Sequence, residues 1–446
     1  MNSSRCAAAL AVAAACSWPL EPGAQPPRDA TQPAAPPGIL DPRFAVMPLE
    51  GALEEMRRNR QAAPALERYE AEDYREAARL GLGILAVDPE QHGLRFAVAN
   101  SLAWTGRYDP AIEHYRALLG TRYESQARLG IANVRLWSGQ PELAESLYLD
   151  VLEREPGNAE AQRSLRRTGR ELRPSASLRI VQTEDNQNFA RDELWLTYRR
   201  WSEDRTWRFD VGALHDRNKS PLADSTASGL QGSVWAVRLP LSPKLEASIY
   251  DSEVFATMQL EPFRDRLQIR LGHVNWGRMA FNASALAAGL TADTLGVFAE
   301  AHTFIGSLRG RLEGYDISDG NRVIDGELQL TPARQRLPWR LEWFGGVYGR
   351  GADREDPRYW SPRPAYGLAF LGLRRTWSTE RADVTASTRA GVGFTDTAKG
   401  SWSLGLSGRY WLTNDVAIGL EAWTVDAPRP AEYRVQQVAA FVQHLW

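Results

Sequence analysis

The sequence lacks the features by which most soluble enzymes and helical membrane proteins are identified. It has no run of about 18 apolar residues, so no transmembrane helix is predicted. Only two cysteines occur, Cys6 and Cys16, and the rest of the chain therefore has no disulfide framework and no thiolate metal site. The formal net charge is −2, so overall charge favours no class of partner, and no nucleic-acid partner is predicted.

Catalytic motifs are also missing, since neither G-x-S-x-G nor H-E-x-x-H occurs. His215, His273, His302 and His444 are scattered among predicted strands, where a lone histidine usually lines the wall. We therefore predict no enzymatic activity, no cofactor and no metal. A His–Ser–acid cluster assembled by the fold would instead favour a lipid- or glycan-modifying enzyme.

The first 48 residues read as an export signal and a tether. Arg5, the apolar stretch 7–15 and its run of alanines predict a signal peptide over residues 1–15. Cys16 follows the predicted cleavage site directly, which leaves lipidation of its thiol as an alternative. Residues 16–48 are rich in Pro and Ala, which is typical of an extended linker.

Residues 49–172 have the composition and periodicity of helices and contain an internal repeat. Tyr74, Tyr108 and Pro141 recur at a spacing near 34. Alanines recur at the same interval, and so do the residues at the ends of the repeats; the two series are Ala77, Ala111 and Ala144, and Pro89, Tyr123 and Pro156. This pattern is similar to that of tetratricopeptide repeats, in which small residues let paired helices approach. We predict a short helical solenoid of about three units.

Residues 173–446 change to a period of two, with about ten-residue segments that are apolar on one face and are separated by turn residues. This pattern is typical of a transmembrane β-barrel, because lipid-facing and lumen-facing side chains alternate along each strand. The number of segments predicts about sixteen antiparallel strands, enough to enclose an aqueous lumen. The predicted fold class is thus α + β and multidomain, with a short helical solenoid followed by an antiparallel barrel. We expect the protein to lie in a bacterial outer membrane.

Parity along the strands assigns charged side chains to the lumen. In the predicted strand 264–271, the apolar Leu267, Ile269 and Leu271 oppose three arginines. A charge on the lipid face would cost roughly 2–4 kcal/mol at the midplane. The predicted pore-lining residues are Arg264, Arg266, Arg270, Arg309, Arg311, Arg340 and Glu342. They predict a polar, partly cationic pore; alternatively, each arginine pairs with an acid on a neighbouring strand.

The aromatic residues allow two readings. Tryptophans near predicted strand ends are expected to form a girdle at the membrane–water interface. These are Trp201, Trp276, Trp377, Trp411 and Trp446. A second set could stack on sugar rings in or above the pore, and it comprises Tyr315, Trp343, Tyr348, Tyr359, Trp360 and Tyr366. Trp446 ends the chain after an alternating strand, so we also interpret it as a signal for the barrel-assembly machinery.

Two short segments and the overall architecture carry a family resemblance. Residues 358–366 read RYWSPRPAY and residues 409–416 read RYWLTNDV. With a signal, helical repeats and a C-terminal barrel, the chain resembles the outer-membrane exopolysaccharide export porins of cellulose and poly-N-acetylglucosamine secretion. The resemblance implies passive conduction of a growing polysaccharide, with repeats in the periplasm that bind polymer, a modifying enzyme or the synthase.

One departure from that family concerns length. Its members carry a much longer repeat array, so three units would need a separate periplasmic protein to complete the channel, or another partner. We therefore expect an exopolysaccharide channel whose partners are membrane lipid, the polymer and periplasmic or synthase-complex proteins. The alternative is a non-conducting anchor that presents the repeats.

Overall fold

The structure is a computed structural model that describes residues 49–221, 224–264, 266–303, 305–332, 337, 341–363, 365–394, 400–427 and 433–446. Side chains are described from Arg60 onward, together with that of Arg58. The predicted signal peptide and linker lie outside these residues. Within them, the internal contacts divide the chain into a helical unit that ends at Leu172 and a second unit that begins at Arg173.

The helical unit consists of antiparallel helices joined by short turns. Their bounds are α1 Leu49–Glu70, α2 Tyr74–Val87, α3 His92–Trp104, α4 Tyr108–Arg116, α5 Glu124–Trp137, α6 Pro141–Arg154 and α7 Ala159–Leu172. Ala77, Ala111 and Ala144 are buried where paired helices cross, as the repeat predicts. The tetratricopeptide-like solenoid is confirmed. No helix in the described part of the chain is long and apolar enough to cross a bilayer.

A polar pair recurs inside the solenoid and was not recognised in the sequence. The Tyr115 hydroxyl donates to Asn100 Oδ1 at 2.5 Å, and the Tyr148 hydroxyl donates to Asn133 Oδ1 at 2.7 Å, so the pair follows the repeat. Asn100 Nδ2 also donates to the Tyr69 hydroxyl at 2.9 Å and thereby joins three helices. Asn100 is 3 % exposed, so its amide is surrounded by protein.

Sixteen strands form the second unit, each paired with its sequence neighbours and closed by β1 against β16. The first eight are β1 Ser175–Asp185, β2 Ala190–Trp201, β3 Trp207–Lys219, β4 Ser225–Ala236, β5 Lys244–Tyr250, β6 Glu253–Phe263, β7 Leu267–Asn275 and β8 Thr291–His302. The others are β9 Gly306–Ile317, β10 Arg322–Pro332, β11 Glu342–Ala352, β12 Tyr366–Ser378, β13 Ala382–Gly393, β14 Gly400–Trp411, β15 Val416–Ala427 and β16 Tyr433–Leu445. The predicted barrel of about sixteen antiparallel strands is confirmed.

Closure and alternation together give the barrel an apolar outside. Ser175 pairs with Leu445 at one end of the seam and Asp185 with Val435 at the other, so the sheet has no free edge there. Side chains such as Ile180, Leu371 and Leu404 are exposed on the outer face, while their chain neighbours point inward. A closed barrel with an apolar exterior satisfies its backbone without water, and it points to an outer membrane.

The two rims of the barrel differ. The terminal rim holds both ends of the barrel, where Trp446 N donates to the Pro174 carbonyl, and its fully described connections are short. The far rim carries two long connections, residues 276–290 between β7 and β8 and residues 353–365 between β11 and β12. The first contains two short helices, α8 Trp276–Met279 and α9 Ala283–Ala287.

Two expectations about strand ends differ from the structure. The predicted strand 264–271 begins only at Leu267, because Phe263 pairs with Leu267 and Arg266 N donates to the Phe263 carbonyl where the chain reverses. Trp276 is not a girdle residue: it is 1 % exposed, because the chain leaves the wall after Asn275 and turns into the lumen. Trp201 and Trp411 are also buried, whereas Trp377 and Trp446 are exposed.

Asn100→Ala should lower the free energy of unfolding of the helical unit by about 1–3 kcal/mol, because the Tyr69 and Tyr115 hydroxyls lose a buried partner. Urea unfolding of a fragment of residues 49–172 measures this. Ser146→Ala on the exposed face of α6 is the control and should change stability by less than about 0.5 kcal/mol. Equal effects of the two changes would show that Asn100 does not hold the repeats together.

Candidate functional site in the barrel lumen

Inward-facing charges in the lumen are mostly present as ion pairs between strands. Arg179 on β1 reaches Glu421 on β15 at 2.6 Å, and Arg199 on β2 reaches Asp210 on β3 at 2.6 Å. Further pairs between strands join Arg309 to Glu300, Arg374 to Glu342 and Arg389 to Glu327. Two other pairs lie within one strand, Arg208 with Asp210 on β3 and Lys244 with Glu246 on β5. The arginines therefore hold strands together and contribute less net positive charge than their number implies.

Four of the residues predicted to line the pore lie on inward faces. Arg309 donates twice to Glu300, and Glu342 accepts from Arg374 at 3.0 Å. Arg270 donates to Glu313, whose second oxygen accepts from Arg311 at 2.9 Å. Each of the three arginines has an acid partner, as the alternative reading of the sequence expected.

The other predicted arginines do not sit within strands. Arg264 and Arg266 lie in the turn between β6 and β7, and the Arg264 guanidinium lies 5.2 Å from the ring of inward-facing Trp235. Arg208 stacks on the same ring at 4.5 Å, so cationic and aromatic side chains meet at the terminal rim. Arg340 lies outside the described residues.

Residues 276–290, which we call the crossing segment, bridge opposite sides of the lumen. At its start, Trp276 packs against Tyr315 of β9, with ring centroids 4.8 Å apart, and against Tyr359 at 5.6 Å. Gly277 is required there, because a Cβ on it would lie 2.6 Å from the Ala285 carbonyl oxygen. The segment folds against itself and leaves no room for a longer side chain at this turn.

The opposite end of α8 is bound to β2 and β3, six to seven strands from β9 in the ring of sixteen. Arg278 donates to Glu193 and lies 3.6 Å from the fully buried carboxylate of Asp216. Its guanidinium stacks on Trp195 and Tyr250 at 5.1 and 5.0 Å, and its carbonyl accepts from Arg191 at 3.1 Å. Arg278 thus fastens the crossing segment to the far wall.

The second inward connection, residues 353–365, is fixed by a network of charges. The Tyr359 hydroxyl lies 2.9 Å from Asp319 and 3.0 Å from Asn321, and Arg358 binds Asp319 at 2.7 Å. Arg358 also donates to Asp356 and holds the pKa of that carboxyl below its usual range. The connection is therefore tied to the β9–β10 turn at the far rim.

A buried chain of charges supports this connection from the wall. Arg350 donates to the Trp360 carbonyl at 3.1 Å and to Asp325 at 3.1 Å. Asp325 also binds Arg311 at 2.7 Å, and Arg311 binds Glu313 at 2.9 Å. Since breaking one partner of a buried pair typically costs about 3–5 kcal/mol, the arrangement is rigid.

Aromatic residues predicted to stack on sugars lie inside an apolar cluster between these connections. Tyr348, Tyr359 and Trp360 are buried, and Tyr366 is packed against the cluster. Other members come from Phe189, Phe281 and Tyr433, so side chains fill much of the far half of the lumen. The faces of these four residues are covered in this conformation, and contact with sugar would require residues 353–365 to move. Tyr315 is also buried in the cluster, whereas Trp343 is 37 % exposed and shares the outer face with Leu373, so it does not line the pore. Trp446 lies apart from them, exposed beside Tyr198 and His444.

The residues that bind the crossing segment were missed in the sequence. Glu193, Asp216 and Arg278 are far apart along the chain, and neither the period nor a motif indicates that they meet. One signal was present: residues 276–290 lack the period-two pattern and contain two runs of small residues, 283–285 and 287–289, as an insertion between strands would.

At the terminal rim, His302 lies near a serine and an acid. His302 Nδ1 is 2.8 Å from Ser307 Oγ, and His302 Nε2 is 3.8 Å from Glu300, which also binds Arg309. Glu300 is thus shared between this histidine and Arg309. Among the described residues, no group of three or more metal-ligating side chains is positioned to hold an ion.

No family model matches this chain. A search of curated proteins likewise found no match. A bacterial polysaccharide outer-membrane secretin is similar in structure, with TM-score 0.46 and 13% identity, over 61% of this chain and 98% of the secretin. The Pseudomonas aeruginosa barrel OccK11 has TM-score 0.33 and 10% identity, over 61% of this chain and 96% of its own. The first TPR domain of Spaghetti (RPAP3), bound to an HSP90 peptide, has TM-score 0.24 and 21% identity, over 25% and 94% of the two chains.

Arg278→Gln should increase the single-channel conductance of the purified protein several-fold, because Glu193 and Asp216 lose the cation that holds the crossing segment against the wall. Planar-bilayer recording measures this. Arg309→Gln removes a wall ion pair away from the segment and should leave conductance close to that of the natural chain. Unchanged conductance in a folded Arg278→Gln protein would show that this residue does not hold the segment.

Proposed function

We propose that this protein is an outer-membrane channel that conducts an exopolysaccharide passively through its barrel. The observation that carries the proposal is the lumen itself: a closed sixteen-strand wall with hydrogen-bonding side chains on its inner face. A barrel of this size has room for more than its own side chains. The crossing segment narrows that room by polar contacts that can be broken and remade.

The chemistry of the inner face suits a neutral or weakly charged polymer. Paired arginines such as Arg179 and Arg374 still present N–H groups to the lumen, while their acid partners offset the charge. Conduction needs sites that are numerous and weak, so that a chain is held without being trapped. A wall of ion pairs with few uncompensated charges meets that requirement.

In this proposal, the order of the segments along the chain sets the orientation of the barrel in the membrane. The helical repeats would lie in the periplasm, and the crossing segment would lie near the outer surface. The repeats would dock the polymer, a polymer-modifying enzyme or the synthase complex, since solenoids present extended surfaces. Exposed Trp446, at the end of β16, would be the contact for the barrel-assembly machinery.

The buried aromatic residues in the lumen support the alternative function, a non-conducting anchor. Because Trp276, Tyr359 and Trp360 fill part of the far half, the barrel could be a closed anchor that only presents the repeats. An anchor needs no continuous path, whereas a channel needs one at least when the crossing segment is released.

Planar-bilayer recording with soluble exopolysaccharide fragments distinguishes the two functions. We expect steady current that one class of fragment blocks in a concentration-dependent way, because a bound fragment occupies the ion path. The fragments should include uncharged, anionic and cationic chains of equal length. A folded protein that carries no current, even as Arg278→Gln, would be a closed anchor.

A further inference from the structure

The inner face of β14 differs from the rest of the wall. Its successive inward residues are small and half-buried: Ser401, Ser403, Gly405 and Ser407. On β9 and β11 the corresponding residues, such as Tyr315, Phe344 and Tyr348, are large and buried. The outward neighbours on β14, Leu404 and Leu406, are exposed, which fixes the parity of the strand.

The next strand, β13, continues this surface. Ser387 lies opposite Gly405, and a Cβ on Gly405 would come within 2.9 Å of the Ser387 hydroxyl. Arg389, the inward cation of β13, is bound to Glu327 at 3.3 Å and contributes little free charge. We call Ser387, Ser401, Ser403 and Ser407 the serine strip.

The apolar cluster in the lumen stops short of the strip. Its described members come from the β1–β2 turn, the crossing segment, strands β8 to β12, residues 353–365, β15 and β16, with none from β13 or β14. Short serine and glycine side chains do not extend across the remaining space. The strip is therefore a part of the wall from which no described side chain of the cluster extends and whose own side chains are short.

An aromatic surface lies toward the terminal rim from the strip. The Phe441 ring lies directly over Gly419, where a Cβ would be 2.0 Å from it. The Arg409 guanidinium stands 5.7 Å from the same ring and is exposed to the lumen. A flat ring flanked by N–H donors is a surface on which a sugar can stack while its hydroxyls are bound.

We propose that the glycan path follows β13 and β14, with an uncharged, hydroxyl-bearing polysaccharide passing over Phe441 and along the serine strip. Hydroxyls of the strip both donate and accept, as sugar hydroxyls do, so each contact is replaced by an equivalent one as the chain advances. This inference rests on the proposed function and specifies its route and substrate class.

Cysteine substitution followed by modification tests the route. Ser403→Cys in the full-length protein, modified with a bulky uncharged thiol reagent, should lower single-channel conductance several-fold by obstructing the path. Ser248→Cys is the matched control: it is also inward and half-buried, but lies on β5 across the barrel. The natural chain treated with the same reagent controls for Cys6 and Cys16.

Block by soluble fragments tests the substrate class and separates the two proposals. Uncharged oligosaccharides should block the natural chain, and Ser403→Ala, which keeps the residue small, should weaken that block without changing the open conductance. Reduced current after modification at position 403, without block by any fragment, would support the route and contradict polysaccharide export.

Other outcomes overturn the inference. An equal or larger effect of modification at position 248 would place the path elsewhere. Block by charged fragments alone would exclude the uncharged class. Absence of current in the natural chain would mean that no path exists beside the strip at rest.

Discussion

Pairing of β1 with β16 is the constraint on which the rest of this structure depends. In hydrocarbon, an unpaired strand edge would leave a row of N–H and C=O groups without partners, and each such group costs several kcal/mol. Closure fixes sixteen strands in one ring, and the ring fixes which side chains face lipid and which face inward. Arginines with no place on the outer face are thereby collected in the lumen.

The arginine charges collected in the lumen must be compensated by acidic side chains, and this explains why the interior contains so many ion pairs. Ion pairs such as Arg199 with Asp210 connect neighbouring strands, while Arg278 connects a segment from β7–β8 to β2 and β3 across the lumen. The same chemistry therefore stabilises the wall and positions the crossing segment. Between Ser401 and Ser407 on β14, the inward residues are serines and a glycine instead, and their side chains are short.

The fold could be predicted because its signals are local. Period two predicts strands, a spacing near 34 predicts the solenoid, and lipid excludes charge from alternate positions. The interior could not be predicted, since contacts such as that of Trp276 with Tyr359 join residues distant in sequence. Trp276 illustrates this limit of sequence-based prediction. Its position at a strand end suggests a girdle residue, but only the path of residues 276–290 shows that it is buried. The partners of the lumen arginines were foreseen as a class, though not individually.

The most direct test of the central claim is efflux of defined glycan chains from sealed proteoliposomes containing the full-length protein. Channel export predicts release of an uncharged oligosaccharide at a rate proportional to the number of channels, with slower release of an anionic chain of equal length. Retention of both chains by vesicles that pass small ions freely would contradict it.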